Sequence, residues 1–261
     1  MRFFIFFLYM FSWTNPLFSQ ELDSLEAYKA PLARQAVAVD ANFLYAINNT
    51  GIEKLDKFTG ESIKIWKDTT GSLKHLNSGI ILEGKLYCAH SNFPDSPMSS
   101  SIEVFDPDEL QPIESYSLGI DIGSATWIDW HNGHWYVAFA HYSESGKEPG
   151  KNNHWTQLVK FTKDWERVGG WIFPKELLNR FGVMSNSGGF ITKEGTVYIT
   201  GHDTKELYRL EFPTMGYTLK WINTISAPFE GQGIAQDPKD EQVIYGISRS
   251  KGQIIKGKIQ E

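Results

Sequence analysis

Three of the seven histidines in this 261-residue chain, His90, His141 and His202, each follow shortly after a tyrosine that opens an apolar strand: Tyr87, Tyr136 and Tyr198. Imidazoles titrate near neutral pH and suit proton transfer, and three from neighbouring units could share zinc, iron or copper. His90, His202 and Glu230 are the acid–base candidates. Arg34 and Arg249 carry the planar fork that matches a carboxylate, and are candidate substrate clamps. His75, Asn77, Asp129, His141, Asn186 and Gln232 complete the expected substrate-binding set. No His-Glu-x-x-His, Gly-x-Ser-x-Gly or phosphate-cradling loop is present, so the pattern leaves metal and cofactor open.

The elements that must position these residues come from a repeat. Leu44-Tyr45, Leu86-Tyr87, Trp135-Tyr136, Val197-Tyr198 and Ile244-Tyr245 each open a strand after a short polar turn. The turns 83–85 and 132–134, with Glu-Gly and Asn-Gly, are hairpin signals. Each turn follows a nearly continuous apolar strand rich in small residues (36–39, 79–82, 125–130, 188–191, 233–235), which suggests burial on both faces. Alternating third strands follow, of which Ile52-Glu53-Lys54-Leu55-Asp56 and Ile102-Glu103-Val104-Phe105-Asp106 are close copies. Fourth strands are expected at 63–66, 113–118, 167–171 and 219–222. Four antiparallel strands per unit, repeated radially, predict an all-β, five-bladed β-propeller. The fifth unit runs out without a fourth strand. Residues 22–28 are expected to supply it and close the ring. One helical turn is expected at 174–180.

This topology is a map. Starts of first strands, ends of second strands and the loops that follow share one face, which therefore collects Arg34, His75, Asn77, Asn186, Glu230 and Gln232 with His90, His141, His202 and Arg249. Two long loops, 91–100 and 142–153, belong to it, and long insertions on one face of a repeat mark a binding face. The loop Asn92-Phe93-Pro94-Asp95-Ser96-Pro97-Met98 reads as a stiff lid, whereas 147–153 reads as mobile and solvated. The His residues are out of register with one another, so a bulge in the third blade is needed to align them. Asp129 falls in the aromatic stretch 127–136 as an acid close to the channel, where a backbone donor or a tyrosine hydroxyl would satisfy it. Most of the tryptophans there are expected between blades, although aromatic faces also suit sugar rings.

Residues 1–19 read as a secretory signal. Arg2 precedes the apolar run Phe3 to Phe11, and Ser19 marks the expected cut. The run is too short to span a bilayer, so no membrane span is expected once it is removed. Residues 20–261 then form a single propeller domain, secreted or periplasmic, and expected to be a monomer. Arg2 is the only charged residue of the signal, so cleavage takes the formal charge from -6 to -7. That mildly acidic balance argues against nucleic acid as a partner. Cys88 is the single cysteine, which excludes an intramolecular disulfide, and it reads as an inert buried thiol.

The repeated first-strand and Leu-Tyr pattern, the run Gln232-Gly233-Ile234-Ala235-Gln236-Asp237 and the loop His90-Ser91-Asn92-Phe93-Pro94 resemble exported bacterial propeller proteins often labelled "cycloisomerase". More distantly, the five-unit layout resembles the plant-type glutaminyl cyclase group. The resemblance covers most of residues 34–260 and implies a small-molecule site in the channel mouth. It also implies an intramolecular ring-forming or ring-opening reaction, that of an isomerase or cyclotransferase. No residue role is carried over from it. Two readings follow: an exported enzyme acting on a small polar molecule, carboxylated or sugar-like, or a non-catalytic module that binds a glycan or protein ligand on the same face. A purely structural scaffold is a third.

Overall fold

The computed structural model describes residues 21–120 and 122–259. Five four-stranded antiparallel sheets form the blades of a propeller. The closing strand, β1 (Leu22–Lys29), comes first in the chain. Blade 1 is β2 (Ala36–Val39), β3 (Phe43–Asn48), β4 (Gly51–Asp56) and β5 (Ser62–Lys67). Blade 2 is β6 (His75–Leu82), β7 (Lys85–Ser91), β8 (Ser99–Phe105) and β9 (Pro112–Ile120). Blade 3 is β10 (Ser124–His131), β11 (His134–Ala140), β12 (Gln157–Phe161) and β13 (Arg167–Ile172). A short helix, α1 (Lys175–Arg180), precedes blade 4, which is β14 (Gly188–Ile191), β15 (Val197–Thr200), β16 (Glu206–Glu211) and β17 (Lys220–Ser226). Blade 5 takes β18 (Glu230–Gln236), β19 (Val243–Ser248) and β20 (Gln253–Ile259) from the end of the chain.

The fifth blade lacks a fourth strand of its own and receives β1, which pairs antiparallel with β20 from Leu22↔Ile259 to Lys29↔Gln253. Both expectations, the five-bladed count and closure by the N-terminal segment, are met. The signal segment 1–19 lies outside the described residues. The inner strands β2 and β14 are buried at every position, while β6, β10 and β18 are buried centrally and half-buried at one or both ends. Outer strands β5 and β9 alternate between exposed and half-buried residues.

Stability comes from the gaps between blades. One apolar cluster fills each gap: Val37, Leu44 and Leu55 meet Tyr245 and Ile254 between blades 1 and 5. Tyr45 and Ile52 meet Leu86 and Phe105 between blades 1 and 2. Ala89 and Ile102 meet Val137 and Phe139 between blades 2 and 3. Trp127 and Leu158 meet Ile199 and Tyr208 between blades 3 and 4, with Leu177 and Leu178 of α1 joining them. Phe190 and Leu207 meet Phe229 and Ile244 between blades 4 and 5. Each fully buried side chain of this size contributes about 1.5–3 kcal/mol. Cys88 is among them, fully buried, and burial pushes its thiol well above the ordinary range. It is inert packing.

With only five blades the inner strands crowd the axis, which explains their small residues. A Cβ on Gly233 would lie 2.3 Å from the Cβ of Ala36 in the next blade, and one on Gly188 would lie 2.3 Å from the carbonyl oxygen of Gln232. Glycine at these positions is a packing requirement.

Candidate functional site

The repeat fixes a ring of polar side chains at the end where the inner strands begin, the upper face. The five repeated tyrosines pair across the hairpins with Ala38, Ile80, Asp129, Phe190 and Ala235. Three residues earlier, every blade carries an uncharged polar residue: Gln35, Asn77, Thr126, Ser187 and Gln232. All five line one cavity of about 290 Å³ in the upper mouth. The amide nitrogen of Asn77 donates to the carbonyl of Ala125 (3.1 Å), and that of Gln232 donates to the carbonyl of His202 (3.3 Å). Their amide oxygens, and the hydroxyl of Ser187, have no partner among the described residues. These groups face the cavity as free donors and acceptors.

Two histidines share this lining. His75 has no hydrogen bond to either ring nitrogen among the described residues, and its ring packs against Phe93 with centroids 5.0 Å apart. Burial, helped by the neighbouring His90 and His202, pulls its pKa down to about 4, so it is a neutral imidazole with an available lone pair at neutral pH. His202 is held differently. Its Nδ1 donates to Asp203 Oδ1 (2.6 Å), while its Nε2 accepts from Arg249 Nη1 (3.2 Å). Arg249 Nη2 also reaches Asp203 Oδ1 (3.1 Å), closing a three-membered cluster at the rim. Burial lowers the His202 pKa, with Asp203 opposing and Arg249 reinforcing that shift.

The remaining sequence-predicted residues are placed elsewhere or are already occupied. His90 turns away from the cavity: its Nε2 accepts from the backbone of Lys74 (3.1 Å) and its Nδ1 donates to Ser101 Oγ (2.9 Å), which in turn donates to Glu103. Burial holds this imidazole below its ordinary pKa. His141 donates from Nε2 to the carbonyl of Ile122 (3.2 Å) and lies beside the carboxylate of Glu148, 2% exposed. The inner strand of blade 3 does contain the bulge needed for alignment, between Ala125 and Trp127. Even so, His90, His141 and His202 do not converge, because each ring is committed to separate partners: Lys74 and Ser101 for His90, Ile122 and Glu148 for His141, Asp203 and Arg249 for His202. Among the described residues no three metal-ligating side chains come together.

Glu230 folds back onto the 248–250 turn, where Oε1 accepts from Ser250 Oγ (2.7 Å) and Oε2 from the backbone of Arg249 (2.9 Å). Burial resists ionisation there, but these bonds with those from Ser248 and the Ser250 amide hold the carboxyl below its usual range. Arg34 donates to the carbonyl of Arg249 (2.6 Å) and so joins blade 1 to blade 5. Asn186 is wholly buried and spends its amide on the Trp127 indole and the carbonyls of Gly188 and Thr200. Asp129 lies at the opposite mouth, where Oδ2 accepts from the backbone of Ile191 (2.6 Å) and Oδ1 from that of Trp130 (2.8 Å). Burial raises its carboxyl to about 7 despite those two bonds.

Thr126 enters only with the structure, whereas Gln35 and Ser187 lie at first-strand entrances that the sequence map already assigns to this face, and Tyr142 opens the loop 142–153. Counting back three residues from the tyrosine-paired position identifies Gln35, Thr126 and Ser187 together. The loop 91–98 walls the cavity through Phe93 and Pro94. Phe93 packs at a tilt against His75 and against Tyr142 (ring centroids 4.8 Å apart) rather than against His90. The segment 147–153, expected to be mobile and solvated, is anchored. Glu148 is 4% exposed and accepts from the backbone of Met98 (3.0 Å), and Asn153 Nδ2 donates to the carbonyls of Leu178 and Gly182. Burial pushes the Tyr142 phenol up to about 12 against a hydrogen bond from Ser124. Together the two loops build a fixed aromatic wall.

No protein-family model matches this chain, and no curated protein matches it. Solved structures do. A luciferin-regenerating enzyme superposes with a TM-score of 0.53 at 10% identity, over 90% of this chain and 95% of that one. A gluconolactonase from Xanthomonas campestris gives 0.52 at 13% identity, over 86% and 71%. The PQQ-bound aldose sugar dehydrogenase from Streptomyces coelicolor gives 0.57 at 10% identity, over 94% and 100%. At these identities the likeness is one of fold.

Proposed function

We propose that the upper mouth is the active site of an enzyme that opens or closes a ring in a small, uncharged, sugar-like molecule by proton transfer. One observation carries the reading: the neutral imidazole of His75, with both nitrogens free, faces a ring of five uncharged hydrogen-bonding side chains. Such a lining suits hydroxyl groups, which donate and accept at once, better than it suits a carboxylate. The cavity volume, at the small end of ligand pockets, fits a single monosaccharide-sized ring. Phe93 and Tyr142 offer it an apolar face.

The chemistry needs only a base and a positioned nucleophile. In ring opening of a lactone, His75 takes the proton of a water as its oxygen bonds the carbonyl carbon. The ring C–O bond then breaks, and the proton passes to the departing ring oxygen. Ring closure is the reverse, with a substrate hydroxyl in place of water. His202, oriented by Asp203 and covered by Arg249, and Gln232 position the substrate. The gluconolactonase and sugar dehydrogenase among the structural neighbours, and the resemblance to propellers labelled "cycloisomerase", support a sugar-like substrate and ring chemistry. In this reading the protein is exported by residues 1–19, begins at Gln20 when mature and acts as a monomer. N-terminal sequencing and a sedimentation measurement check those three points.

The decisive test is a panel of sugar lactones and their open-chain acids, assayed for interconversion with the wild type and with His75→Ala. A general base contributes about a hundredfold or more, so His75→Ala should lose at least that in kcat while substrate binding changes little. Unchanged turnover in His75→Ala sinks the assignment. The aromatic wall favours a second reading, a glycan-binding module, which predicts binding of the same sugars with no turnover by the wild type.

A further inference from the structure

The lower mouth of the channel holds a second cavity, of about 190 Å³. It shares no lining residue with the upper one. Between them neighbouring inner strands close on one another at Gly188 and Gly233. The lower walls are apolar, with Ile80, Leu82, Ile191 and Ile234 beside the aromatic rings of Trp130 and Phe190.

Asp129 is the one ionisable side chain of that lining. The register position it occupies is apolar in every other blade, with Ala38, Ile80, Phe190 and Ala235. An acid here departs from the repeat in the place where a charge costs most. Its two backbone bonds, from Ile191 and Trp130, use one acceptor site on each oxygen and leave the others unused. No cationic side chain among the described residues pairs with it. Crowded as it is, the residue is only half-buried, and its open surface faces the cavity. At the rim, Gln236 donates to the carbonyl of Glu241 (2.7 Å), and its amide oxygen has no partner among the described residues.

A carboxylate without a counter-ion, beside aromatic rings in an apolar mouth, is the chemistry that recognises an organic ammonium. Coulomb attraction is strong where water is scarce, and aromatic faces attract cations. We propose that the lower mouth binds a small organic ammonium with an apolar body, with Asp129 as its counter-ion. The site is independent of the upper mouth and of the reaction proposed for it.

The test uses the whole chain at about pH 8, above the titration of Asp129, with benzylammonium and its neutral counterpart benzyl alcohol as probes. Calorimetry gives their affinities, and amide shifts of Ile191 and Trp130, the two donors to Asp129, report the site. Benzylammonium should bind saturably, about tenfold or more tighter than benzyl alcohol, and move those two amides. Asp129→Asn should bring the two affinities together. If benzylammonium leaves the Ile191 and Trp130 amides of the wild type unmoved, or binds no tighter than the alcohol, Asp129 is only a clamp between blades 3 and 4. The wild-type arm decides this even if Asp129→Asn does not fold.

Discussion

The ammonium of Lys57 lies 2.7 Å from Oδ2 of Asp237, with both side chains 7% exposed, and this buried pair joins blade 1 to blade 5. Lys57 also donates to the carbonyl of Asp40 (3.1 Å), and Tyr245 donates to Asp237 (3.1 Å). Burial opposes ionisation of Asp237, but the Lys57 ammonium, the Lys239 amide and the Tyr245 hydroxyl hold its carboxyl below the usual range. Removing one partner of such a pair strands the other charge, at about 3–5 kcal/mol. Lys57→Met should therefore lower the unfolding free energy in urea by about that much, and Lys57→Met with Asp237→Leu should recover most of it. Because the carboxyl is depressed in the folded state, its contribution is present above the unfolded value near 4 and fades as pH falls below it. Asp237→Asn should flatten that acid limb.

Two other groups titrate with opposite signs. His75 is lowered from 6.5 to about 4, so the unfolded chain binds its proton first, and stability rises with pH between those values. Asp129 is raised from 3.8 to about 7, so the folded chain holds the proton longer, and stability falls with pH over that range. In denaturation curves taken at intervals across this window, His75→Gln should remove the rising component and Asp129→Asn the falling one. Turnover, if His75 is the base, should fall away only below about pH 4.

In the proposed site each ring position would contribute a single neutral hydrogen bond to a ligand, worth about 0.5–1.5 kcal/mol. Thr126→Val and Ser187→Ala should each weaken sugar binding by about threefold to tenfold, with melting temperatures within about 2 °C of wild type. Losses in melting temperature larger than the losses in affinity would make the ring a packing feature.

Gly233→Ala places a methyl group 2.3 Å from the Cβ of Ala36 and 3.0 Å from Ser78 Oγ. The Ala36 methyl has no rotamer to move to, and the Ala36 Cα behind it, also 3.0 Å away, is backbone. Overpacking of this kind costs about 1–3 kcal/mol, and a calorimetric melt should register it. Ala36→Gly in the same chain should restore part of the loss.

Deleting residues 21–29 removes β1 and leaves the backbone edge of β20 unpaired. Leu22, 2% exposed and packed on Gly257, would go with it. An exposed edge invites pairing with other chains, and the truncated protein should aggregate in light scattering under conditions where the full chain stays dispersed.

The blade count and the closing strand were legible because a strand-turn-Tyr unit recurs with a constant pattern, and because the last unit visibly lacked a strand. The upper face was legible too, since topology assigns strand ends to faces. Side-chain direction was not. His75 and His90 sit on paired strands of one blade, yet His75 faces the cavity while His90 points to Ser101 and Glu103. His75 pairs with Ser91 and Leu76 with His90, so the two imidazoles are one residue out of step and fall on opposite faces, an offset that the residue types do not announce. Glu230 is taken up by donors of the 248–250 turn and Arg34 by the carbonyl of Arg249, which a strand map does not resolve. Thr126 was missed because a small hydroxyl looks unremarkable until the five blades are aligned on their tyrosines.

The pairing of β1 with β20 brings together side chains about 230 residues apart, as Glu26 and Lys256 do. The first strand of the chain therefore has no sheet to join until the last strand exists. Loop closure over such a span is slow relative to hairpin formation. The four internally complete blades can form as the chain lengthens, but the ring stays unlatched until its final strand is available. Closure of the ring is thus timed by β20, and β1 has no sheet partner until that strand is made.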